Sequence, residues 1–202
     1  MLATRSHGKL RELRPLFAEH GVDVVDLAAV GIAEGPDEDA LECFDTYEEN
    51  ALAKARYFAA RTGLPVVADD SGLEVIALGG QPGVRSKRWS GRSELAGHAL
   101  DQANNDRLRA AIQGVRDRSA RYVCAAVYCG RGVEIVRRGE TVGHILDEPV
   151  GSEGFGYDPW FFSDELGAAF GAVGVGDKAV VSHRGRAFRA LLAALRKEPG
   201  AQ

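Results

Sequence analysis

Apolar residues recur along the chain with spacings that predict helices and strands in alternation. Leu10, Leu13 and Phe17 are spaced to share one face of a helix, which we expect to begin near Lys9. Pro15 lies inside this pattern. Because proline lacks a backbone N–H and clashes with the preceding turn, it predicts a kink or an early end of the helix.

Further helices are indicated by capping residues and by apolar spacing. Thr46 is followed three residues later by Glu49, a capping-box pattern that predicts a helix ended by Gly63. A polar helix is expected over 94–112, and a last helix from near Ser182. The last helix carries one apolar stripe, formed by Ala187, Phe188, Leu191, Leu192 and Leu195.

Short apolar runs predict strands at 1–4, 22–27, 64–68, 73–76, 121–129, 133–140 and 141–146. The turn at 130–132 joins two of these strands as a hairpin, and the polar segment 69–72 breaks an apolar run. Residues 163–178 are rich in Gly and Ala and receive no assignment. The alternation of strands and helices indicates a single α/β domain over 1–202, with a mixed central sheet flanked by helices.

Composition and charge exclude several classes of protein. The chain has 202 residues and a formal net charge of −4, whereas general nucleic-acid binders are basic. No stretch reaches the roughly 18 apolar residues of a membrane span, and no apolar signal region opens the chain. Cys124 and Cys129 lie on one predicted strand with their side chains on opposite faces, so they are not expected to form a disulfide with each other. A reduced cytoplasmic protein is expected, with no nucleic-acid or membrane partner.

Polar residues cluster where predicted strands end, and the first cluster lies at 4–9. A short strand, a turn and a helix N-terminus together form an anion site, since unpaired N–H groups and the helix dipole both favour phosphate. Ser6 adds a hydroxyl group and Lys9 adds a positive charge. The alternative is an ordinary capped helix with a solvated lysine.

Two further clusters carry carboxylates. Asp69 and Asp70 follow a buried apolar run, where adjacent acids are costly unless they bind a cation or accept hydrogen bonds. Such hard oxygen ligands beside phosphate suit Mg²⁺. Glu49, with Lys54 on the same helix, either joins this chemistry or serves only as the acid of the capping box.

The last pair of clusters combines aromatic and basic residues. Phe155 lies in a glycine-rich loop, where its ring can stack on a purine. Arg184, near the start of the last helix, can donate to a carbonyl group of the base. The alternatives are a core aromatic residue at 155 and a plain helix cap at Ser182.

Taken in order along nearly the whole chain, these segments resemble the noncanonical purine nucleoside triphosphate pyrophosphatases, also called the inosine triphosphate pyrophosphatase family. The segments that carry the resemblance are 3–9, 49–55, 68–73, 78–83, 86–91, 154–159, Lys178 and 182–185. Each segment alone is unspecific, but their joint occurrence is highly specific. The resemblance implies a mixed α/β fold of two lobes with the active cleft between them, and a homodimer.

The resemblance also implies roles for individual residues. Asp70 matches a catalytic acid that binds Mg²⁺ and accepts a proton, and Glu49 matches a second metal ligand. Residues matching triphosphate contacts are Thr4, Arg5, Ser6, His7, Gly8, Lys9, Lys54 and Ser71. Residues matching nucleotide and base contacts are Phe155, Gly156, Tyr157, Asp158, Lys178, His183 and Arg184.

The expected function is Mg²⁺-dependent hydrolysis of ITP, dITP and XTP to the monophosphate and pyrophosphate, which cleanses the nucleotide pool. A cationic Arg184 cannot accept a hydrogen bond, so it suits a 6-keto oxygen and not the 6-amino group of adenine. Two alternatives remain open. One is a pyrophosphatase for other modified triphosphates, such as pyrimidines, and the other is a nucleotide-binding protein without turnover.

Overall fold

The computed structural model describes residues 1–198, so the last four residues of the predicted domain, 199–202, lie outside the described range. The chain divides into two compact units. The first unit is formed by Met1–Asp70, Cys124–Gly139 and the chain from His183 onward. The second unit is formed by Ser71–Val123 and Glu140–Ser182.

Helices and strands are interspersed along the chain, although the last four strands, within residues 119–169, follow one another without an intervening α-helix. The α-helices are α1 (His7–Glu19), α2 (Tyr47–Thr62), α3 (Gly97–Ala111), α4 (Val175–Val181) and α5 (His183–Leu195). The strands are β1 (Val66–Val75), β2 (Ser119–Gly130), β3 (Val133–Ile145), β4 (Phe161–Ser163) and β5 (Ala168–Ala169). Short 3₁₀ helices lie at Pro36–Glu42, Ile76–Leu78, Gly83–Arg88, Asp158–Trp160 and Phe170–Ala172. No helix within residues 1–198 is long and apolar enough to cross a membrane.

The strands form one sheet in the order β1-β2-β3-β4-β5. β4 pairs antiparallel with both β3 and β5, and the β3–β4 register places Gly143 opposite Ser163. Parallel pairing occurs at Leu2, which bridges to Asp26 and to Val67. The predicted α/β fold with a sheet flanked by helices is confirmed.

The helix caps follow the sequence closely. The Thr46 hydroxyl accepts a hydrogen bond from the Glu49 backbone N–H, and Gly63 ends α2 in the left-handed conformation at φ 68°. Ser6 caps α1 by accepting from the Lys9 N–H, so α1 begins two residues earlier than predicted. Pro15 lies inside α1 and does not end it early, because the buried face of the helix continues to Phe17.

Several predicted strand boundaries were wrong. Residues 1–4 and 22–27 contain only isolated bridges, since each segment pairs at a single residue. The polar segment 69–72 does not break a strand, and β1 continues through it. The strand predicted at 141–146 is the continuation of β3, which runs without interruption to Ile145. A strand can keep its course through polar residues when their side chains find partners elsewhere in the fold.

Each unit has its own apolar core. In the first unit, α1 and α5 pack together through Phe17 and Phe188, whose rings meet edge to face with centroids 5.7 Å apart. In the second unit, Tyr122, Phe161 and Phe170 form an aromatic cluster. The core of the first unit therefore fixes the start of α5 relative to α1 and β1.

The backbone of β3 approaches the start of α5 closely at Gly139. A Cβ atom at this position would lie 2.3 Å from the His183 carbonyl oxygen and 2.5 Å from the Ala187 nitrogen. We expect Gly139→Ala to lower the free energy of unfolding by about 1–3 kcal/mol, the usual cost of overpacking. Urea denaturation measures the change.

Gly176→Ala provides the control for this substitution. A Cβ atom at Gly176 in α4 would meet nothing within 4 Å, and alanine favours helix over glycine by about 0.5–1 kcal/mol. We therefore expect Gly176→Ala to be neutral or stabilising. Equal stability of the two variants would mean that β3 does not constrain the start of α5.

Candidate active site

Asp69 and Asp70 are neighbours on β1, and strand geometry points their side chains to opposite faces. Both are buried, with Asp69 1% and Asp70 7% exposed. Each carboxylate therefore has its own contacts: basic side chains lie against Asp69, whereas a neutral amide lies against Asp70.

Asp69 is the centre of a buried ion cluster in the first unit. One carboxylate oxygen lies 2.9 Å from the Lys9 ammonium nitrogen and 3.2 Å from Nε of Arg184. Burial alone would raise the pKa of Asp69, but Lys9, Arg184 and Lys54 together hold it well below its ordinary value. Asp69 is therefore ionised throughout the neutral range and acts as the counter-ion of these bases.

The two lysines predicted to bind the triphosphate both reach the Asp69 backbone. Nζ of Lys54 donates to the Asp69 carbonyl oxygen at 3.0 Å and Nζ of Lys9 donates to the same oxygen at 3.4 Å. Lys54 also pairs with the carboxylate of Glu42. Burial opposes its charge, but Glu42, Asp70 and Asp69 outweigh burial and raise the pKa of Lys54. The fold thus brings two predicted phosphate ligands together as ammonium groups.

Asp70 is held by an amide. Asn50, fully buried on α2, donates from Nδ2 to an Asp70 carboxylate oxygen at 2.9 Å. The same Asn50 side chain bonds both backbone groups of Phe44. Burial raises the pKa of Asp70, although Lys54 and Lys9 oppose the shift. Asp70 is thus a buried acid whose charge is incompletely compensated, and this environment suits a bound cation.

Glu49 lies in the first turn of α2, three residues after the capping residue Thr46. Its carboxylate accepts a hydrogen bond from the Thr46 hydroxyl at 2.7 Å and its side chain is exposed. The Glu49 carboxylate thus bonds the hydroxyl of the capping residue and not its backbone N–H, so the reciprocal bond of a capping box is not the one observed. The metal role of Glu49 stays a prediction. In the described part of the chain, no cluster of three or more His, Cys, Asp or Glu side chains could hold a metal ion.

The predicted phosphate segment 4–9 forms the entry to α1. The Thr4 hydroxyl accepts from the Ser6 N–H at 3.1 Å, which shapes the turn before the helix. Arg5 forms an ion pair with Glu38 at 2.7 Å and donates to the Ile32 carbonyl oxygen, so it holds the segment that leads from α1 to α2. Gly8 lies in the first turn of α1. Three residues of this segment, Thr4, Arg5 and His7, help to line a cavity of about 670 Å³.

The start of α5 contributes two buried basic side chains to the site. His183 and Arg184 are both almost fully buried. Arg184 pairs with Asp69 and also with the carboxylate of Glu12 on α1. Burial alone would lower the pKa of Arg184, but Glu12 and Asp69 outweigh it and raise the pKa, so the guanidinium remains charged. Sequence reasoning missed Glu12, because an acid on an amphipathic helix gives no signal of burial.

In the second unit, the glycine-rich loop is organised around Asp158. The Asp158 carboxylate accepts from the Phe155 N–H at 2.8 Å and lies 2.5 Å from Nζ of Lys178. Nζ of Lys178 also lies 5.3 Å from the centroid of the Phe155 ring. A Cβ atom at Gly154 would lie only 2.0 Å from an Asp158 carboxylate oxygen, so the loop requires glycine there. Three predicted base contacts are thus brought together.

Tyr157 serves the fold of this loop. Its hydroxyl donates to the Ser86 carbonyl oxygen at 2.8 Å and burial raises the pKa of the phenol. The Gly156 N–H donates to Asp101 at 2.9 Å, and the Gly156 carbonyl accepts from Asn105 at 3.1 Å. Sequence reasoning missed both α3 residues, although their spacing of four on a predicted polar helix could have placed them on one face.

Ser71 follows Asp70 on β1 and is the first residue of the second unit. Its side chain is partly exposed, in contrast to the buried residues before it. It remains a predicted triphosphate contact.

Comparison with known proteins identifies the family behind this fold and site. The family model described as the Ham1 family matches residues 1–194. The chain therefore belongs to the Ham1 family, and the resemblance inferred from the sequence is confirmed.

Relatives match this chain over nearly its whole length. The chain is 46% identical over 200 residues to a dITP/XTP pyrophosphatase of Frankia alni, covering 98% of this chain and 96% of that protein. It is 49% identical to a dITP/XTP pyrophosphatase of Nocardia farcinica, covering 96% and 93%. Among solved structures, the HAM1 protein from Coxiella burnetii superimposes with a TM-score of 0.81 at 31% identity, covering 98% of both chains.

Proposed function

We propose that this chain hydrolyses dITP, ITP and XTP to the nucleoside monophosphate and pyrophosphate, with Mg²⁺ as its metal. The observation that carries the proposal is the arrangement around β1 in the first unit. A buried, incompletely compensated carboxylate, Asp70, lies one residue from a backbone oxygen that holds two ammonium groups, those of Lys9 and Lys54. The family and the names of the relatives agree with this chemistry.

Triphosphate binding is assigned to the first unit, with Ser71 as an additional contact. Lys9 and Lys54 supply positive charge, and the N-terminal turn of α1 supplies backbone N–H groups. Asp69 holds both lysines in place through its carbonyl oxygen and, for Lys9, through its carboxylate. Binding therefore needs little reorganisation of the bases, and pre-organised charge is an efficient stabiliser of phosphoryl transfer.

Asp70 is assigned the role of proton acceptor. It orients a water molecule and accepts its proton as the water oxygen attacks the α-phosphorus. The bond from the α-phosphorus to the bridging oxygen then breaks, and pyrophosphate leaves with that oxygen. The carboxylates of Asp70 and Glu49 would hold Mg²⁺, which when bound neutralises charge on the phosphates. Lys9 and Lys54 stabilise the negative charge that develops on the leaving group.

Base recognition is assigned to the Phe155 loop with Lys178, and to His183 and Arg184. The Phe155 ring stacks on the purine, and the charged Arg184 donates to the 6-keto oxygen. Adenine would present a 6-amino donor to this donor, an unsatisfied contact that costs on the order of 1–3 kcal/mol.

A substrate panel tests the proposal directly. The purified chain is incubated with ITP, dITP, XTP, GTP, ATP and a modified pyrimidine triphosphate in the presence of Mg²⁺, and pyrophosphate and orthophosphate are measured separately. Pyrophosphate released chiefly from the first three nucleotides is the expected result. Orthophosphate as the direct product would overturn the mechanism, a pyrimidine preference would change the substrate class, and absence of turnover would favour a binding protein. Removal of the metal by EDTA should abolish pyrophosphate release.

Replacing Arg184 tests base selection. We expect Arg184→Ala to reduce the ratio of kcat/KM for ITP over ATP by about tenfold, because one discriminating hydrogen bond is lost. Arg184 also pairs with buried acids, so the ratio is compared on protein that remains folded by circular dichroism. Arg196→Ala, an exposed change just beyond α5, is the control. An unchanged ratio in Arg184→Ala would assign base selection to other residues.

A homodimer acting in the cytoplasm completes the proposal and rests on the resemblance to the family. Sedimentation equilibrium should give twice the 21.6 kDa mass of the chain. A monomeric mass would remove the dimer from the proposal and would leave the assigned chemistry unaffected.

A further inference from the structure

We infer that Asp101 and Asn105 of α3 are positioning residues for base recognition, because they clamp the two peptide groups of Gly156. The inference rests on the proposed function, since it concerns the loop assigned to the purine. It adds a support for specificity that lies on a helix outside the predicted site.

The clamp holds both backbone groups of one residue. Oδ2 of Asp101 accepts from the Gly156 N–H at 2.9 Å, and Nδ2 of Asn105 donates to the Gly156 carbonyl oxygen at 3.1 Å. A spacing of four residues places Asp101 and Asn105 on the same face of α3. Gly156 has a φ of 62°, a conformation that glycine can adopt without strain but also leaves easily. The hydrogen bonds from α3 therefore select the conformation of Gly156.

Burial of the clamping side chains costs folding free energy. Asn105 is 8% exposed, and within residues 1–198 its Oδ1 atom is buried without a hydrogen-bond partner. Burial also raises the pKa of Asp101, although the Gly156 N–H opposes the shift. Buried polar groups destabilise a fold unless they form hydrogen bonds with other groups that also need a partner. Here the side chains of Asp101 and Asn105 form the hydrogen bonds of the Gly156 N–H and carbonyl groups.

The consequence falls on Phe155, the neighbour of Gly156. Its own N–H is fixed by Asp158, and Asp158 in turn holds Lys178 against the Phe155 ring. Without the α3 clamp, Gly156 regains conformational freedom, and the stacking ring must be ordered when the nucleotide binds. Ordering on binding weakens affinity. The chemistry assigned to Asp70 in the first unit is not altered by this loss.

The test compares three variants of α3. Asp101→Ala removes the acceptor, Asp101→Asn keeps an acceptor oxygen, and Asp106→Ala is the matched control, since Asp106 is exposed on the same helix. For each, kcat and KM for ITP, the dissociation constant of IMP and the inhibition constant of pyrophosphate are measured. We expect Asp101→Ala to raise KM and the IMP dissociation constant about five- to tenfold, with kcat and pyrophosphate inhibition unchanged. Asp101→Asn should recover most of the affinity, and Asp106→Ala should match the unmodified chain.

Phe155→Ala separates failure of this inference from failure of the proposed function. If Phe155→Ala raises KM and Asp101→Ala behaves as Asp106→Ala does, the clamp has no positioning role and the inference is overturned alone. A parallel loss of kcat and pyrophosphate binding in Asp101→Ala would also overturn it, since that pattern indicates general disruption. If the unmodified chain does not hydrolyse ITP, the proposed function fails and the inference fails with it.

Discussion

Asp70→Asn is expected to lower kcat for ITP hydrolysis by about 10²–10⁴-fold, the usual contribution of a general base. The amide cannot accept the proton of the attacking water and is a poor ligand for a divalent cation. The fold should survive, because the new amide oxygen can still accept the hydrogen bond that Asn50 donates to Asp70. Loss of a buried carboxylate whose pKa is raised by desolvation also removes an unfavourable charge.

Pyrophosphate release under saturating ITP and Mg²⁺ measures this effect, and thermal unfolding checks the fold. Asp106→Asn, the same chemical change at an exposed position, should retain full activity. Activity of Asp70→Asn within threefold of the unmodified chain would remove Asp70 from the mechanism. A fall in activity accompanied by loss of the unfolding transition would instead assign Asp70 a structural role.

Asp69→Asn is expected to destabilise the protein by about 3–5 kcal/mol at pH 7, the cost of removing one partner from a buried ion pair. The substitution leaves the charges of Lys9 and Arg184 without their shared carboxylate. Glu134→Gln is the control, because it breaks an exposed pair with Arg56 and should cost under about 1 kcal/mol. Urea denaturation gives both values.

The difference between Asp69→Asn and the unmodified chain should depend on pH. The folded pKa of Asp69 is lowered, so its contribution is complete above the unfolded pKa of about 3.9 and is lost as the pH falls through the folded value. The stability difference should thus be constant from pH 6 to 8 and shrink below about pH 4. A difference that grows on acidification would contradict the assignment of Asp69 as an ionised counter-ion.

Local signals in the sequence predicted the elements whose stability is local. Thr46 and Gly63 mark the ends of α2, since capping bonds involve only residues a few positions apart. The β2–β3 hairpin follows from its turn, in which Arg131 and Gly132 adopt positive φ. Four residues of the predicted apolar stripe of α5 are buried, and the fifth, Leu195, is partly buried against the same core. These features would be predicted equally well in another fold.

The candidate site was predictable as a set of segments but not as a geometry. The sequence indicated that the acids at 69–70 and the lysines at 9 and 54 serve one chemistry. The local pattern did not distinguish the two acids, and only the resemblance to the family singled out Asp70. The fold supplies the physical difference, because Asp69 pairs with Lys9 and Arg184 while Asp70 accepts a hydrogen bond from Asn50.

The sequence by itself determined the family, the order of helices and strands, and the residue types available for phosphate chemistry. The tertiary structure alone decided that β1 runs through its acids, that Glu12 is buried against Arg184, and that α3 holds Gly156. The physical reason is distance along the chain. Capping and periodicity act over a few residues, whereas the ion pair between Glu12 and Arg184 joins residues 172 positions apart and exists only after the core of the first unit has formed.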